Sequence, residues 1–178
     1  MSPWEPAVSN DLSQGELLRG CPIPLLADVR LEAPAGSVCD VKVTQMDVIV
    51  VTQSCDLAAR GIHPPRADLV AVCPVYSISE WTEQNPQFAK SDRRETARLG
   101  RMEGIHLLSS PRVPEDNQHA LVAHFRQIVT IPHRVAAGHA RSHADRWRLR
   151  SPFLEHFSQA FALFFMRVGL PFGIPKYT

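Results

Sequence analysis

The hydrophobic pattern predicts a β-rich section between residues 37 and 76. Val41 and Val43 alternate with polar residues, which is typical of a strand with one exposed face. The run from Val48 to Val51 is apolar without a break, as in a strand that is covered on both faces. Residues 68–76 repeat this β-branched pattern after a His-Pro-Pro turn, so three strands are expected within forty residues.

Residues 79–108 are predicted to form a helical insertion. Ser79 is a candidate cap for a first short helix, and Asn85 followed by Pro86 favours the start of a second helix. Apolar residues are sparse in this second helix, so we expect it to lie on the surface of the protein.

An arginine stripe is the main chemical feature of the insertion. Arg94, Arg98 and Arg101 are spaced at i, i+4 and i+7, so they would share one face of a helix. Such a face is a candidate binding surface for phosphates. The alternative is that these arginines form ordinary surface pairs with Glu95 and Glu103.

Two further elements are predicted toward the end of the chain. Residues 120–131 form the clearest strand pattern, and His124 and Arg126 lie together on its less apolar face. After a His- and Arg-rich connection, residues 152–168 form a phenylalanine-rich helix that is closed by Gly169. We expect this helix to pack on the sheet, and it is also a candidate surface for a partner protein or a homodimer.

The first 36 residues lack a clear periodicity. They are interpreted as an irregular N-terminal arm, residues 1–36, with one short helical piece over residues 12–19. Residues 37–178 are then expected to form a single domain. Neither a secretory leader nor a membrane helix is predicted, and a cytoplasmic location with no membrane partner is expected.

The composition indicates a folded domain, and the distribution of charge indicates a kind of partner. Of the 178 residues, 44% are hydrophobic and 21% are charged, which favours an ordinary folded domain. Residues 1–90 hold six Lys/Arg and eleven Asp/Glu, a balance of −5, whereas residues 91–150 hold eleven Arg and six Asp/Glu, a balance of +5. The basic section could attract an anionic partner such as RNA or single-stranded DNA. Arginine greatly outnumbers lysine, which we associate with bacterial coding.

A polar run at the end of the buried strand, residues 52–56, is the first candidate for catalysis. Cys55 would be a nucleophile if a histidine lay within hydrogen-bond distance, and His124 is the best candidate for that base. Cys55 and Asp56 could instead bind a metal ion with a histidine. In the third alternative Asp56 caps a turn, Gln53 bonds to the backbone and Cys55 packs.

No cofactor or dedicated metal site is predicted elsewhere. Cys21, Cys39 and Cys73 are not part of a C-x-x-C pair, and they are interpreted as thiols that fill gaps in the core. His139 and His143 are four residues apart, but the glycine between them makes a helix doubtful there. Metal binding by these two histidines is therefore not expected.

The order of the predicted elements resembles the MazF/PemK (Kid) family of small barrels. In that family an apolar strand ends in a polar turn, a later strand runs into a V-x-P-type segment, and an L-P-x-D-S-type turn precedes another strand. Residues 48–54, 70–77, 113–117 and 121–130 stand in those places here. The resemblance covers roughly residues 36–168. It implies an α+β fold, an SH3-like or MazF-like antiparallel β-barrel of about five to six strands with a helical insertion and a packed C-terminal helix.

The same resemblance bears on activity. Family members that cut RNA carry Arg-Pro at the start of the apolar strand and a threonine after the proline of the next strand. Met46-Asp47 and Val75-Tyr76-Ser77 stand in those positions here, so RNA cleavage by that route is not expected.

Two functions from different classes follow. The first is a small cytoplasmic bacterial protein of toxin-like or defence-related type that binds nucleic acid or a partner protein through a barrel groove. Gln53, Tyr76, Arg126 and the arginine stripe are its candidate binding residues. The alternative is a cysteine-dependent enzyme or metal-binding protein that uses Cys55 and Asp56 with a histidine.

Overall fold

In a computed structural model of the protein, residues 2–26, 34, 36–38, 40–59 and 61–166 are described. In chain order their strands are β1 (Trp4–Pro6), β2 (Glu16–Leu26), β3 (Val41–Val50), β4 (Leu69–Ser77), β5 (Ile105–Leu108), β6 (Leu121–His124), β7 (Val129–Pro132) and β8 (Trp147–Leu149). The helices are α1 (Ser54–Leu57), α2 (Ile78–Gln84), α3 (Ser91–Arg98), α4 (His133–Arg141) and α5 (Phe153–Phe165). Two 3-10 turns cover Pro86–Ala89 and Asn117–His119.

The eight strands of the described residues form one antiparallel sheet. Its order is β1-β8-β2-β3-β4-β6-β5, and β7 pairs with β4 beside β6. The predicted α+β fold with an antiparallel sheet is confirmed. Among the described residues no pairing closes this path into a barrel, so the SH3-like barrel stays a prediction. The sheet has more than the expected five to six strands, because four short or irregular strands escaped the pattern analysis.

The two separate strands expected at residues 41–43 and 48–51 are one strand, β3, because no turn interrupts the chain between them. The apolar run of β3 is covered on both faces, as predicted. Val48 and Val50 lie in one hydrophobic cluster with the alanines of α4. Ile49 and the following Val51 lie in a second cluster with Phe157 of α5. Neighbouring side chains of a strand point to opposite faces, so a continuous apolar run requires a cover on each side. The two helices α4 and α5 provide those covers.

One edge of β4 pairs with β3, and its other edge pairs with two different strands along its length. Residues 69–72 pair with β7, whereas residues 75–77 pair with β6. Cys73 and Pro74 lie between these ladders, opposite the five residues 124–128. Proline has no N–H group to donate to a ladder, and the extra residues of the partner bulge out at this point. The single strand predicted over residues 120–131 is therefore two strands separated by a turn.

The prediction of an irregular N-terminal arm is wrong for the described residues of this segment. β1 pairs with β8, and β2 pairs with β3 over most of its length, so no helix forms at residues 12–19. The register of β2 shifts between Leu18 and Cys21, and Gly20 has a φ of 57° there. A bulge of this kind breaks the side-chain alternation, which explains why the strand was missed.

The helical insertion is confirmed for most of its length but not at its end. Residues 105–108 form β5, which pairs with β6. The cap of α2 is Ser77 and not Ser79, since the Ser77 hydroxyl accepts from the Glu80 N–H and the Glu80 carboxylate accepts from the Ser77 N–H. Pro86 begins a 3-10 turn and not the second helix, which starts at residue 91.

The helices after β7 differ from the prediction in one respect. α4 forms where only a connection was expected, although it contains Gly138. Burial of Ala136, Ala137 and Ala140 against the sheet offsets the roughly 1 kcal/mol that an internal glycine costs a helix. α5 is described up to Phe165, and the predicted end of this helix at residue 168 lies outside the described residues.

Burial of one histidine under α5 predicts a pH-dependent stability. Burial lowers the pKa of His106 from 6.5 to about 4, and the charge of His156 acts in the same direction. The unfolded chain therefore takes up this proton at a higher pH than the folded protein, so stability is lost as pH falls from about 6.5 towards 4. We expect the wild type to lose roughly 2–3 kcal/mol more than His106→Phe between pH 7 and pH 4 in urea unfolding. Phenylalanine suits this site because His106 already contacts Phe125 and Phe157. Equal losses in the two proteins would contradict the assignment.

Candidate functional site

A cavity of about 620 Å³ lies between the helical insertion and the β5–β6 hairpin, and we refer to it as the insertion pocket. Its apolar and aromatic lining consists of Trp81, Phe88, Met102, Ile105 and His124. Its cationic lining consists of Arg93, Arg101 and Arg126. Side-chain amides and Glu103 complete the wall, so the pocket combines flat rings with positive charge.

A small hydrophobic cluster holds the insertion against the sheet and thereby forms the pocket. Trp81, Phe88 and Ala97 come from the insertion, and Ile105 and Val122 come from the hairpin. Only 8% of Trp81 is exposed, and its ring meets the Phe88 ring edge to face at 6.5 Å. Such contacts orient the rings as well as burying them. The pocket floor is therefore part of the packing that fixes the insertion.

The lining of the pocket holds more positive than negative charge. It contains three arginines, Arg93, Arg101 and Arg126, and one carboxylate, Glu103. Arg98 instead donates two hydrogen bonds of 2.7 Å to Glu95. Arg94 donates to a backbone carbonyl. The excess of positive charge among the lining residues favours an anionic ligand.

The predicted arginine stripe is wrong as a single helix face. α3 ends at Arg98, and Gly100 follows with a φ of 66°, a conformation that ends helices and turns the chain. Arg101 consequently lies in the pocket, whereas Arg94 and Arg98 do not. Arg93 was missed because a helix extended through residue 101 places it on another face. The glycine was the signal that could have placed the end of the helix correctly.

The turn opposite Pro74 supplies the other wall of the pocket. Phe125 is buried in the core, whereas Arg126 and Gln127 are exposed and line the pocket. The Tyr76 hydroxyl donates to Gln127 Oε1 at 2.7 Å, and the Phe125 N–H donates to the Gly104 carbonyl at 2.8 Å. These bonds fix the turn between β4 and the chain that leads into β5.

His124 lies with Arg126 at the pocket, as the strand pattern predicted. Its ring is 4.9 Å from that of Trp81 and 6.4 Å from that of Tyr76. Burial lowers the pKa of His124, the charge of Arg126 adds to this effect, and a hydrogen bond to Gln127 opposes it. The imidazole is therefore neutral at pH 7. Among the described atoms its buried Nδ1 has no hydrogen-bond partner.

A second cavity, of about 360 Å³, provides a comparison. Its lining also contains three arginines, but each lies beside a carboxylate. Arg19 is 3.5 Å from Asp47, Arg112 pairs with Asp145, and Arg146 is 2.6 Å from the buried Glu16. The three arginines of the second cavity are thus balanced by three carboxylates, whereas three arginines face one lining carboxylate in the insertion pocket. The insertion pocket is therefore the better candidate for an anionic ligand.

The polar run at residues 52–56 forms a separate, exposed turn that includes α1. Cys55 Sγ donates to Gln53 Oε1 at 3.6 Å, and Cys55 itself is exposed, so it does not pack in the core. One histidine that reaches this turn is His133, whose Nε2 donates to the Leu57 carbonyl at 3.2 Å. Cys55, Asp56 and Gln53 are thus together, whereas His124 belongs to the insertion pocket. The cysteine-dependent alternative stays a prediction.

The structure bears on the other cysteine and histidine predictions as well. Cys21 and Cys73 are buried in the core, as expected, and Cys39 lies outside the described residues. His139 lies in α4 and His143 lies two residues beyond its end, with ring centroids 4.2 Å apart. Within the described residues no group of three or more His, Cys, Asp or Glu side chains is placed to hold a metal ion.

Comparison with known proteins adds no relative to these observations: neither family models, curated proteins nor solved structures gave a match. Among the described residues, none of the helices has the length and apolar character needed to cross a membrane. The functional argument therefore rests on the chemistry of the insertion pocket.

The three described cysteines predict a clear labelling pattern. Burial raises the pKa of Cys21 to about 11 and that of Cys73 to about 12, so both stay protonated and covered near neutral pH. We expect iodoacetamide at pH 8 to label Cys55 in the folded protein and to label Cys21 and Cys73 only in urea. Peptide mass spectrometry reads each cysteine separately. Labelling of either buried cysteine at the rate of Cys55 would contradict the packing, and fast labelling of Cys55 below pH 7 would favour the enzyme alternative.

Proposed function

We propose that the protein binds single-stranded nucleic acid, either RNA or DNA, in the insertion pocket. A base would lie among the rings of the pocket, and the adjoining phosphates would contact Arg93, Arg101 and Arg126. The observation that carries this proposal is the combination of three arginines, against the single lining carboxylate of Glu103, with a wall of aromatic side chains. Proteins that bind single strands use the same two elements, positive charge for the backbone and stacking for the bases.

The form of the site favours a single strand over a duplex. The aromatic rings line a cavity and do not stand on an exposed helix or ribbon that could enter a groove. The faces of the bases are accessible only where a strand is unpaired, and such bases stack readily on aromatic rings. The cavity of about 620 Å³ also lies within the usual range of ligand pockets, roughly 300–1,000 Å³.

The proposal replaces the expected barrel groove with a pocket beside the sheet. Arg101, Arg126 and His124 contribute to it directly, and Tyr76 holds Gln127 through its hydroxyl. Gln53 lies at the separate turn of residues 52–56 and does not line the pocket. The MazF-like barrel, the cytoplasmic location and the toxin-like or defence-related role belong to the broader hypothesis, and they rest on the sequence alone.

Replacement of one pocket arginine tests the proposal against a matched control. Arg101→Gln and Arg98→Gln remove the same charge three residues apart, but only Arg101 lines the pocket. We expect Arg101→Gln to weaken binding of oligouridylate about three- to tenfold and to lower the slope of log affinity against log salt by about 0.7, the value of one phosphate contact on a single strand. Arg98→Gln is expected to change neither quantity by more than the general loss of one surface charge.

Calorimetric titrations with unlabelled oligouridylate and oligothymidylate at several salt concentrations measure both quantities. A wild type that binds neither oligomer at low salt rules out the proposal. Equal effects of the two variants would show that attraction is spread over the surface, in which case the pocket is not the binding site. A partner protein would then be the remaining branch of the binding hypothesis.

Gly104 offers a second test, because it sets the position of Arg126. A Cβ atom at residue 104 would lie 2.5 Å from Arg126 Nε and 3.0 Å from its Cγ. Gly61 has a similar φ of 63° but no atom near the place of a Cβ, so it controls for backbone strain. Both alanine variants are expected to lose roughly 1–2 kcal/mol of stability. Only Gly104→Ala is expected to weaken oligomer binding at a temperature where both variants are folded; equal binding by the two would remove Arg126 from the site.

A further inference from the structure

The C-terminal half of α5 presents aromatic side chains beside the insertion pocket. Phe165 is 54% exposed, and Phe161 and Phe164 are half-buried. The Phe165 ring centroid lies 5.2 Å from that of Phe161 and 5.0 Å from that of Phe164. Phe161 and Phe164 also contact the buried Phe125 ring, so the group is fixed to the core. We refer to these three phenylalanines as the α5 aromatic surface.

Arg126 joins this surface to the pocket. Its side chain lines the pocket, and its guanidinium carbon is 5.7 Å from the centre of the Phe164 ring. This arrangement is a cation–π contact, and it leaves Arg126 at the border between the two surfaces. A ligand that leaves the pocket past Arg126 therefore reaches the phenylalanines directly.

We propose that a nucleic-acid strand bound in the insertion pocket continues past Arg126, so that a following base stacks on the α5 aromatic surface. This inference rests on the proposed function and extends it, because it names a second base position and a direction for the strand. The phosphate between the two bases would contact Arg126. An alternation of aromatic and cationic contacts along the strand is what single-strand binding proteins use.

Charge favours this occupant over a second copy of the chain. Residues 157–165 of α5 contain no acidic residue, so nothing on them repels a phosphate backbone. In a symmetric dimer through the same surface, both copies would place Arg126 at the interface, and this segment offers no carboxylate opposite it. A strand of nucleic acid instead supplies negative charge opposite Arg126.

The length dependence of binding tests the inference. The full chain is titrated by calorimetry with uridine monophosphate and with oligouridylates of two, four, six and eight nucleotides. Phe165→Leu removes the ring but keeps an apolar side chain, and Leu163→Ala alters a neighbour that is also 54% exposed. We expect Phe165→Leu to weaken all the oligomers at least fivefold, the lower end for one base–aromatic stack, and to leave uridine monophosphate unchanged, because a single base fills only the pocket. Leu163→Ala is expected to bind every length as the wild type does.

The outcomes separate this inference from the proposed function. Binding of all lengths with no effect of Phe165→Leu, or with the same loss for uridine monophosphate as for the oligomers, overturns the second base position and leaves the pocket intact. If the wild type binds none of the oligomers, the proposed function itself is refuted. Sedimentation velocity tests whether a second copy of the chain occupies the surface instead. If the wild type is a dimer and Phe165→Leu is a monomer with unchanged oligomer binding, the surface is a contact between copies and the inference is wrong.

Discussion

The break in hydrogen bonding along the second edge of β4 is the constraint on which the candidate site depends. β4 meets two different partners on this edge, and Cys73 and Pro74 lie where the partners change. Since proline cannot donate to a ladder, the opposite chain leaves the sheet there for one short turn. That turn directs Phe125 into the core and leaves Arg126 and Gln127 at the pocket. A regular strand through this point would have alternated these side chains across the sheet instead.

The helical insertion forms the other wall of the pocket. Its helices are stabilised by tertiary packing more than by the helix propensity of their residues. Its elements are short: α2 has seven residues, the 3-10 turn four and α3 eight. Helices of this length are marginal in water when isolated, because nucleation is costly and few hydrogen bonds follow. The contacts of Trp81 and Phe88 with Ile105 and Val122 must therefore stabilise them. The same rings then serve as the apolar lining, so the stability of the insertion and the shape of the site are coupled.

The arginines of the chain have two different roles that their residue type does not distinguish. Arg146 is buried beside Glu16 and also donates to the Ser9 carbonyl, which ties the N-terminal segment to β8. Removal of one member of such a buried pair would leave an uncompensated charge, so this arginine is structural. Arg101 and Arg126 are exposed and line the insertion pocket, where three arginines face one carboxylate. Only groups of the second kind keep their charge available to a ligand.

Periodicity alone was sufficient for the elements with long, regular patterns. β4 and α5 were predicted close to their observed positions, because burial on one or both faces imposes a period that the residues must follow. β3 was predicted as two strands, because its pattern changes from alternating to continuous where the cover of its second face begins. β2 was missed because its bulge interrupts that period, and β1, β5 and β8 were missed because three or four residues carry too little pattern. In the site, His124 and Arg126 were found from the strand pattern, whereas Arg93 required the true end of α3.

The sequence by itself determined the class of the fold, the apolar strands and helix that form its core, and the arginine-rich section from which the candidate site is drawn. Only the tertiary structure decided which arginines are available to a ligand. Arg98 and Arg101 have the same charge and lie three residues apart, yet one pairs with Glu95 and the other lines the pocket. The physical reason is that availability depends on distances to carboxylates and rings from other segments. Those distances exist only once Gly100 has turned the chain and Pro74 has interrupted the sheet.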